Sequence, residues 1–236
     1  DWDANQIPVL VDHDFQGRPR HLMLWANRNG FYYVLDRATG EFLHAVPFVK
    51  QNWAKEIGPK GRPVLLPAAE PSRRGTLTWP GLSGGTNWWA PSYSPETDLL
   101  YVPFTGASAT FFKSGDPELR EPHEGEMFLG STHLSSEGAK QAGIRALNPA
   151  TGKVVWEHLR PKPSDVGRIG GILATAGNLV FFGDIQDFVA ADAGDGRELW
   201  RVNLGGQVRS DPVSFAVDGH QRVAIAAGTT LYVFRR

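Results

Sequence analysis

Asp1 and Asp3 flank Trp2, and on an extended strand, where alternate side chains share a side, both carboxylates fall on one face. Two hard oxygen donors on one face begin a Ca²⁺ or lanthanide site, and one of them could also accept a proton. Taken alone, the same three residues suit a solvated chain end better. Arg28 lies in WANRNG, between a strongly apolar run and a glycine turn. There its rigid fork of donors could bond carbonyl oxygens of a ligand, or simply stand in water at a hairpin tip. Asn27 and Asn29 beside it are of the type that shapes turns. Residues 83–95, SGGTNWWAPSYSP, bring two glycines, the Asn87 amide and the indoles of Trp88 and Trp89 together ahead of a strand. Glycines admit a close ligand, an amide reads oxygens and an indole stacks on a planar ring, although at least one of the two indoles is expected to wedge between layers instead.

The elements that must position these groups are legible from a repeat. Residues 34–43 (VLDRATGEFL), 146–156 (ALNPATGKVVW) and 190–200 (AADAGDGRELW) each run from a small apolar residue through Asp or Asn and a glycine turn to a large apolar residue. A strand, turn, strand unit returning at long intervals signals a β-propeller or similar array. Asp36, Asn148 and Asp192 are expected to cap the turns, and Trp156 and Trp200 to dock on a neighbouring blade. The fold class expected is therefore all-β, with about four blades of four-stranded antiparallel sheet in one partial propeller domain over 1–236. The blades fall at about 6–48, 84–160, 169–204 and 209–236, with an insertion at 106–143. The last lacks an outer strand. Residues 49–81, with several Pro and Gly and no clear alternation, are expected to cross between blades over a surface. Gly170 and Gly171 would start an inner strand, where little room remains near the axis. Four blades of a larger ring would leave two open faces.

Composition narrows the function classes. Twenty-four basic against 25 acidic side chains leave no bulk field to hold nucleic acid or an acidic membrane. No apolar run reaches the roughly 18 residues that span a bilayer, and DWDANQIPVL lacks the parts of a secretory signal. With no cysteine, the chain offers no disulfide, no thiolate metal site and no C-x-x-C-H haem attachment. G-x-S-x-G, H-E-x-x-H and phosphate-cradling loops are absent.

DWDANQIPVL, WANRNGFYYVLDRATGE, GGTNWWAPSYSP and the repeated turn passages, in this order, resemble the pyrroloquinoline-quinone-dependent alcohol dehydrogenases, the methanol and ethanol dehydrogenase family. The resemblance implies the C-terminal half of an eight-bladed periplasmic propeller that oxidises alcohols by hydride transfer to metal-bound quinone. It implies that Asp1 is the proton acceptor and lies at the metal, and that Asp3 is the extra carboxylate of the lanthanide-using members. Arg28 then bonds the reactive quinone oxygens, and Asn87, with Trp88 adjacent, contacts the cofactor. The implied partners are a small alcohol, a c-type cytochrome as electron acceptor, and a missing N-terminal half or second copy that completes the ring. Ile169 stands where many members place a Trp, and the family's further metal ligands, a Glu and an Asn, lie in earlier blades. The site expected in the lone chain is incomplete. A noncatalytic propeller scaffold that binds protein partners is the alternative reading.

Overall fold

The computed structural model describes residues 3–113, 124–125, 131–135, 141–160 and 169–235. Asp1 and Trp2 lie outside them. The first sheet is a meander of β1 (Val9–Phe15), β2 (Arg18–Ala26), β3 (Phe31–Asp36) and β4 (Phe42–Pro47). After it come the hairpin β5 (Ala54–Ile57) and β6 (Pro63–Leu65), a 3-10 turn at Pro67–Ala69, and β7 (Thr76–Thr78). The second sheet takes β8 (Ser92–Ser94) and β9 (Leu99–Gly106). The chain then leaves it for β10 (Ala109–Lys113) and β11 (Ser131–Ser135), and returns through β12 (Gln141–Leu147) and β13 (Val154–Leu159). The third sheet is β14 (Ile169–Thr175), β15 (Leu179–Asp184), β16 (Asp187–Asp192) and β17 (Glu198–Asn203). The last, β18 (Val213–Val217), β19 (His220–Ala227) and β20 (Thr230–Arg235), has three strands. All named pairs are antiparallel, so the chain is a β-propeller segment built of four-stranded blades. No helix among the described residues is long and apolar enough to cross a membrane.

Residues 49–81 depart from the expected bare crossing. They carry β5, β6 and β7, and β7 joins β10 and β11 in a satellite sheet of order β11-β10-β7. Strands of three or four residues are too short to show an alternation, and their pairing comes from distant residues, as in Thr110 opposite Leu77.

The repeated passages fold alike. The Asp36 Oδ1 accepts from the N–H groups of Ala38 and Thr39, Asn148 Oδ1 from Ala150 and Thr151, and Asp192 Oδ1 from Gly194 and Asp195. Gly40, Gly152 and Gly196 close the turns at positive φ of 77°, 66° and 74°, where a side chain would be strained. Just before each turn the register shifts by a bulge, between Val34 and Leu35, Ala146 and Leu147, and Ala190 and Ala191.

These turns are also the joints between blades. Tyr32 Oη donates to Pro149 O at 2.7 Å, and Gly152 lies so close to Tyr32 that a Cβ there would approach its ring to 2.7 Å. At the next joint Trp156 Nε1 and Tyr101 Oη both donate to the buried Ala193 O, at 3.1 and 2.9 Å, with Gly196 under the indole. Trp156 is 9% exposed. Trp200, which meets Phe188 of its own sheet and Phe234 of the last sheet, remains 41% exposed. Apolar side chains fill the three gaps between sheets, led by Leu22, Leu24, Leu100 and Phe104 in the first, Ile144, Val180 and Val189 in the second, and Phe188, Val208 and Ile225 in the third.

Candidate functional site

The turn that ends β2, the loop at 81–90, the end of β9 and the starts of β12 and β14 all gather at one end of the sheets. The β2–β3 turn is built by its asparagines: Asn27 Oδ1 accepts the Asn29 N–H, and Asn29 Oδ1 accepts the Phe31 N–H. Trp53 locks that turn from outside, its Nε1 donating to Asn29 O while its ring packs edge-on to Phe31 at 5.7 Å. This fixes Arg28 between two constrained residues.

The loop at 81–90 lies directly on Arg28. The Gly85 N–H donates to Arg28 O at 2.8 Å, and Thr105 donates from its hydroxyl to Gly84 O and from its N–H to Gly85 O. A Cβ on Gly84 would stand 2.8 Å from Arg28 Cβ, and one on Gly85 2.6 Å from Val49, so only glycines allow the approach. Arg28 is consequently 9% exposed. Its Nη2 donates to Leu82 O at 2.5 Å, whereas its Nε–H is buried with no acceptor. Burial pushes the guanidinium below its ordinary value, and the negative charge of Asp3 pulls it back up.

Asn87 is half-buried, and its amide is largely committed. Its Oδ1 accepts the Trp88 N–H at 2.9 Å and Asn5 Nδ2 at 3.2 Å, and its Nδ2 donates to Ser83 O at 2.9 Å. Two lone pairs and one hydrogen are used, which leaves one amide N–H for a ligand. Trp88 and Trp89 diverge at 48°, with centroids 6.3 Å apart. Trp89 is buried with Ala142 and Ile169 as a wedge between blades, while Trp88 is 49% exposed. Asp3 is exposed and electrostatically coupled to Arg28. Asp1 lies outside the described residues, and among the described residues no three His, Asp or Glu side chains converge as a metal cage.

The structure therefore brings Arg28, Asn87 and Trp88 into one loop system, with the charge of Asp3 acting on it. Sequence reasoning missed Asn5 and Gln6, which tie the leading segment to that loop. It also missed Asp211, whose Oδ1 accepts from the Ala90 N–H at 3.4 Å and lies where a Gly171 side chain would be. None has a motif: Asn5 works through Asn87, 82 positions away, Asp211 through Ala90, 121 positions away, and Gln6 through Asn5 and Trp25.

Residues 140–235 match a family model described as outer membrane protein assembly factor BamB, which covers repeat sheets and none of the site residues. The 1-butanol dehydrogenase (cytochrome c) of Thauera butanivorans is 35% identical over 97% of this chain and 34% of its own length. The quinoprotein alcohol dehydrogenase PedH of Pseudomonas putida is 32% identical over 96% of this chain and 39% of its own. Among solved structures, the quinohemoprotein alcohol dehydrogenase from Comamonas testosteroni superposes with a TM-score of 0.87 at 30% identity, covering 96% of this chain and 35% of that one. Over nearly its whole length the chain is similar to one part of the quinoprotein and quinohemoprotein alcohol dehydrogenases. A europium-containing methanol dehydrogenase is similar at a TM-score of 0.83 and 30% identity, over 95% of this chain and 40% of that one. The chain spans about a third of the length of the first curated relatives it matches.

Proposed function

We propose that the chain is the C-terminal part of an enzyme that oxidises alcohols by hydride transfer to metal-bound pyrroloquinoline quinone and passes the electrons to an external acceptor. The observation that carries this reading is the buried Arg28 Nε–H without an acceptor, beside an Asn87 that has one amide N–H left to give. A buried donor without a partner costs about 1–3 kcal/mol, which a ligand oxygen would recover. The residues fit the cofactor: two donors suit the oxygens of a planar quinone carrying carboxylates, and the exposed Trp88 offers a ring face next to them.

When bound, the quinone supplies a two-electron oxidant that accepts the hydride, and a Ca²⁺ or lanthanide ion supplies a Lewis acid. Arg28 binds ligand oxygens and, as a fixed cation screened from water, favours negative charge on them. Asn87 donates to an oxygen, so its amide orients the ligand and carries no proton away. Asp1 takes the hydroxyl proton of the alcohol and, with Asp3, offers carboxylate oxygen to the metal. The acidic residue at position 3 leans toward the lanthanide.

The remaining ligands come from an N-terminal half, or a second copy, that completes the ring. Val213, Phe215 and Val217 are exposed along one side of β18, where an adjoining blade would cover them. The alcohol is a small one, the enzyme works in the periplasm, and the electron acceptor is a c-type cytochrome, a pairing named for the Thauera relative.

Titrating the chain with pyrroloquinoline quinone in the presence of Ca²⁺ or La³⁺, followed by tryptophan fluorescence, tests the binding half of the proposal. Weak binding that Arg28→Met abolishes, with dye reduction by primary alcohols only once the N-terminal half is supplied, is the expected result. Robust turnover by the monomer alone would contradict the half-site reading.

A further inference from the structure

The segment that leads into β1 is held to the ligand loop by a line of side-chain amides. Gln6 is the fixed end: it is 6% exposed, and its main-chain O accepts Trp25 Nε1 at 3.1 Å. Its Nε2 donates to Asn5 Oδ1 at 2.9 Å, Asn5 Nδ2 donates to Asn87 Oδ1 at 3.2 Å, and Asn87 Nδ2 donates to Ser83 O at 2.9 Å. Every bond runs in the same direction, so each amide is polarised by the one before it. The direction has a chemical consequence. With Asn5 and Trp88 both donating to its oxygen, Asn87 has no acceptor left and can meet a ligand only as a donor.

We propose that Asn5 is a positioning residue: it commits Asn87 to donate and keeps the acidic segment that carries Asp3 in register with the ligand loop. The inference rests on the reading that Asn87 belongs to the quinone site. Asn5 touches no reacting atom and acts through Asn87 alone. Gln6 sets the direction, since its buried amide presents a donor to Asn5 while its own Oε1 has no partner.

The test is Asn5→Asp, which preserves size but replaces the donor facing Asn87 Oδ1 with an acceptor. Asn5 is exposed, so the fold is not at stake. In the ligand-free chain labelled with ¹⁵N, the Asn87 side-chain amide resonances, assigned by their loss in Asn87→Ala, should move and exchange faster with solvent. In fluorescence titrations with pyrroloquinoline quinone and La³⁺, affinity should fall about tenfold, the scale of one lost hydrogen bond to a site group. In the Asn87→Ala background the same substitution should cost nothing more. Unmoved Asn87 resonances, or losses that multiply in the double variant, would overturn the proposal. An Asn87→Ala chain that binds quinone like its parent would remove Asn87 from the site. It would refute the quinone assignment of Asn87 and, with it, any positioning role, while the amide spectrum would still report the Asn5–Asn87 bond.

Discussion

The joint between the second and third sheets makes a non-additive prediction. The carbonyl of Ala193 is fully buried and has two donors from the preceding blade, Tyr101 Oη at 2.9 Å and Trp156 Nε1 at 3.1 Å. Tyr101→Phe removes one hydrogen bond but leaves the carbonyl paired, at a cost of about 1 kcal/mol. The Thr97 hydroxyl, which shares that phenol at 2.5 Å, is half-buried and can turn to water. Trp156→Phe removes the other bond and part of an indole packed over Gly196, at a cost of about 2 kcal/mol. Together the two substitutions leave the carbonyl buried with no donor, which adds a desolvation penalty of about 1–2 kcal/mol. The double variant should therefore lose about 4–5 kcal/mol where a sum of the singles gives about 3. Urea unfolding of the four chains, with m held constant, measures the difference. A double variant whose loss equals the sum within about 0.5 kcal/mol would refute the shared-acceptor account of the joint.

Arg28→Met should abolish quinone binding yet leave the urea midpoint level or raised, since it removes a buried donor with no acceptor; a large loss of stability would mean that the guanidinium serves the fold. Gly171→Ala puts a Cβ 1.9 Å from Asp211 Oδ1 and should destabilise the chain by about 1–3 kcal/mol, with much of that recovered by Asp211→Ala when thermal midpoints of both are compared. The Asp36 carboxyl is held below its ordinary value, first by its hydrogen bond from Arg20 and then by the N–H groups of Ala38 and Thr39, against the opposing effect of burial. A depressed carboxyl contributes stability that is complete above its unfolded value near pH 4 and is lost as pH falls through the folded one. Urea midpoints taken between pH 6 and pH 2 should decline through that window in the parent, and Asp36→Asn should flatten part of the decline.

What could be read from the chain alone followed from how local the cause was. The turns at Asp36, Asn148 and Asp192 are written in adjacent residues: an oxygen two positions before the N–H it accepts, and a glycine for the positive φ. Tight room at Gly171 was likewise foreseeable, whereas the side chain that fills it, Asp211, comes from 40 positions away. The satellite sheet of β7, β10 and β11 was not, since β7, with three residues, is too short to carry a period and pairs with β10 across intervening elements. The two indoles at 88 and 89 illustrate the boundary most sharply. Sequence named the pair, but which one wedges beside Ile169 and which faces solvent depended on the blade that arrives 80 residues later.

The sequence by itself determined the all-β repeat, the chemical types at Asp1, Asp3, Arg28, Asn87 and Trp88, and the absence of thiols, because these depend on residue identity and short-range geometry. Only the tertiary structure decided which hydrogen-bonding capacity those residues still have. Arg28 keeps a free Nε–H because two glycines let a loop close over it, and Asn87 keeps a single N–H because Asn5, Trp88 and Ser83 occupy the rest of its amide. A side chain's type sets what it can offer; its neighbours, brought from far along the chain, consume all but the part that a ligand can use.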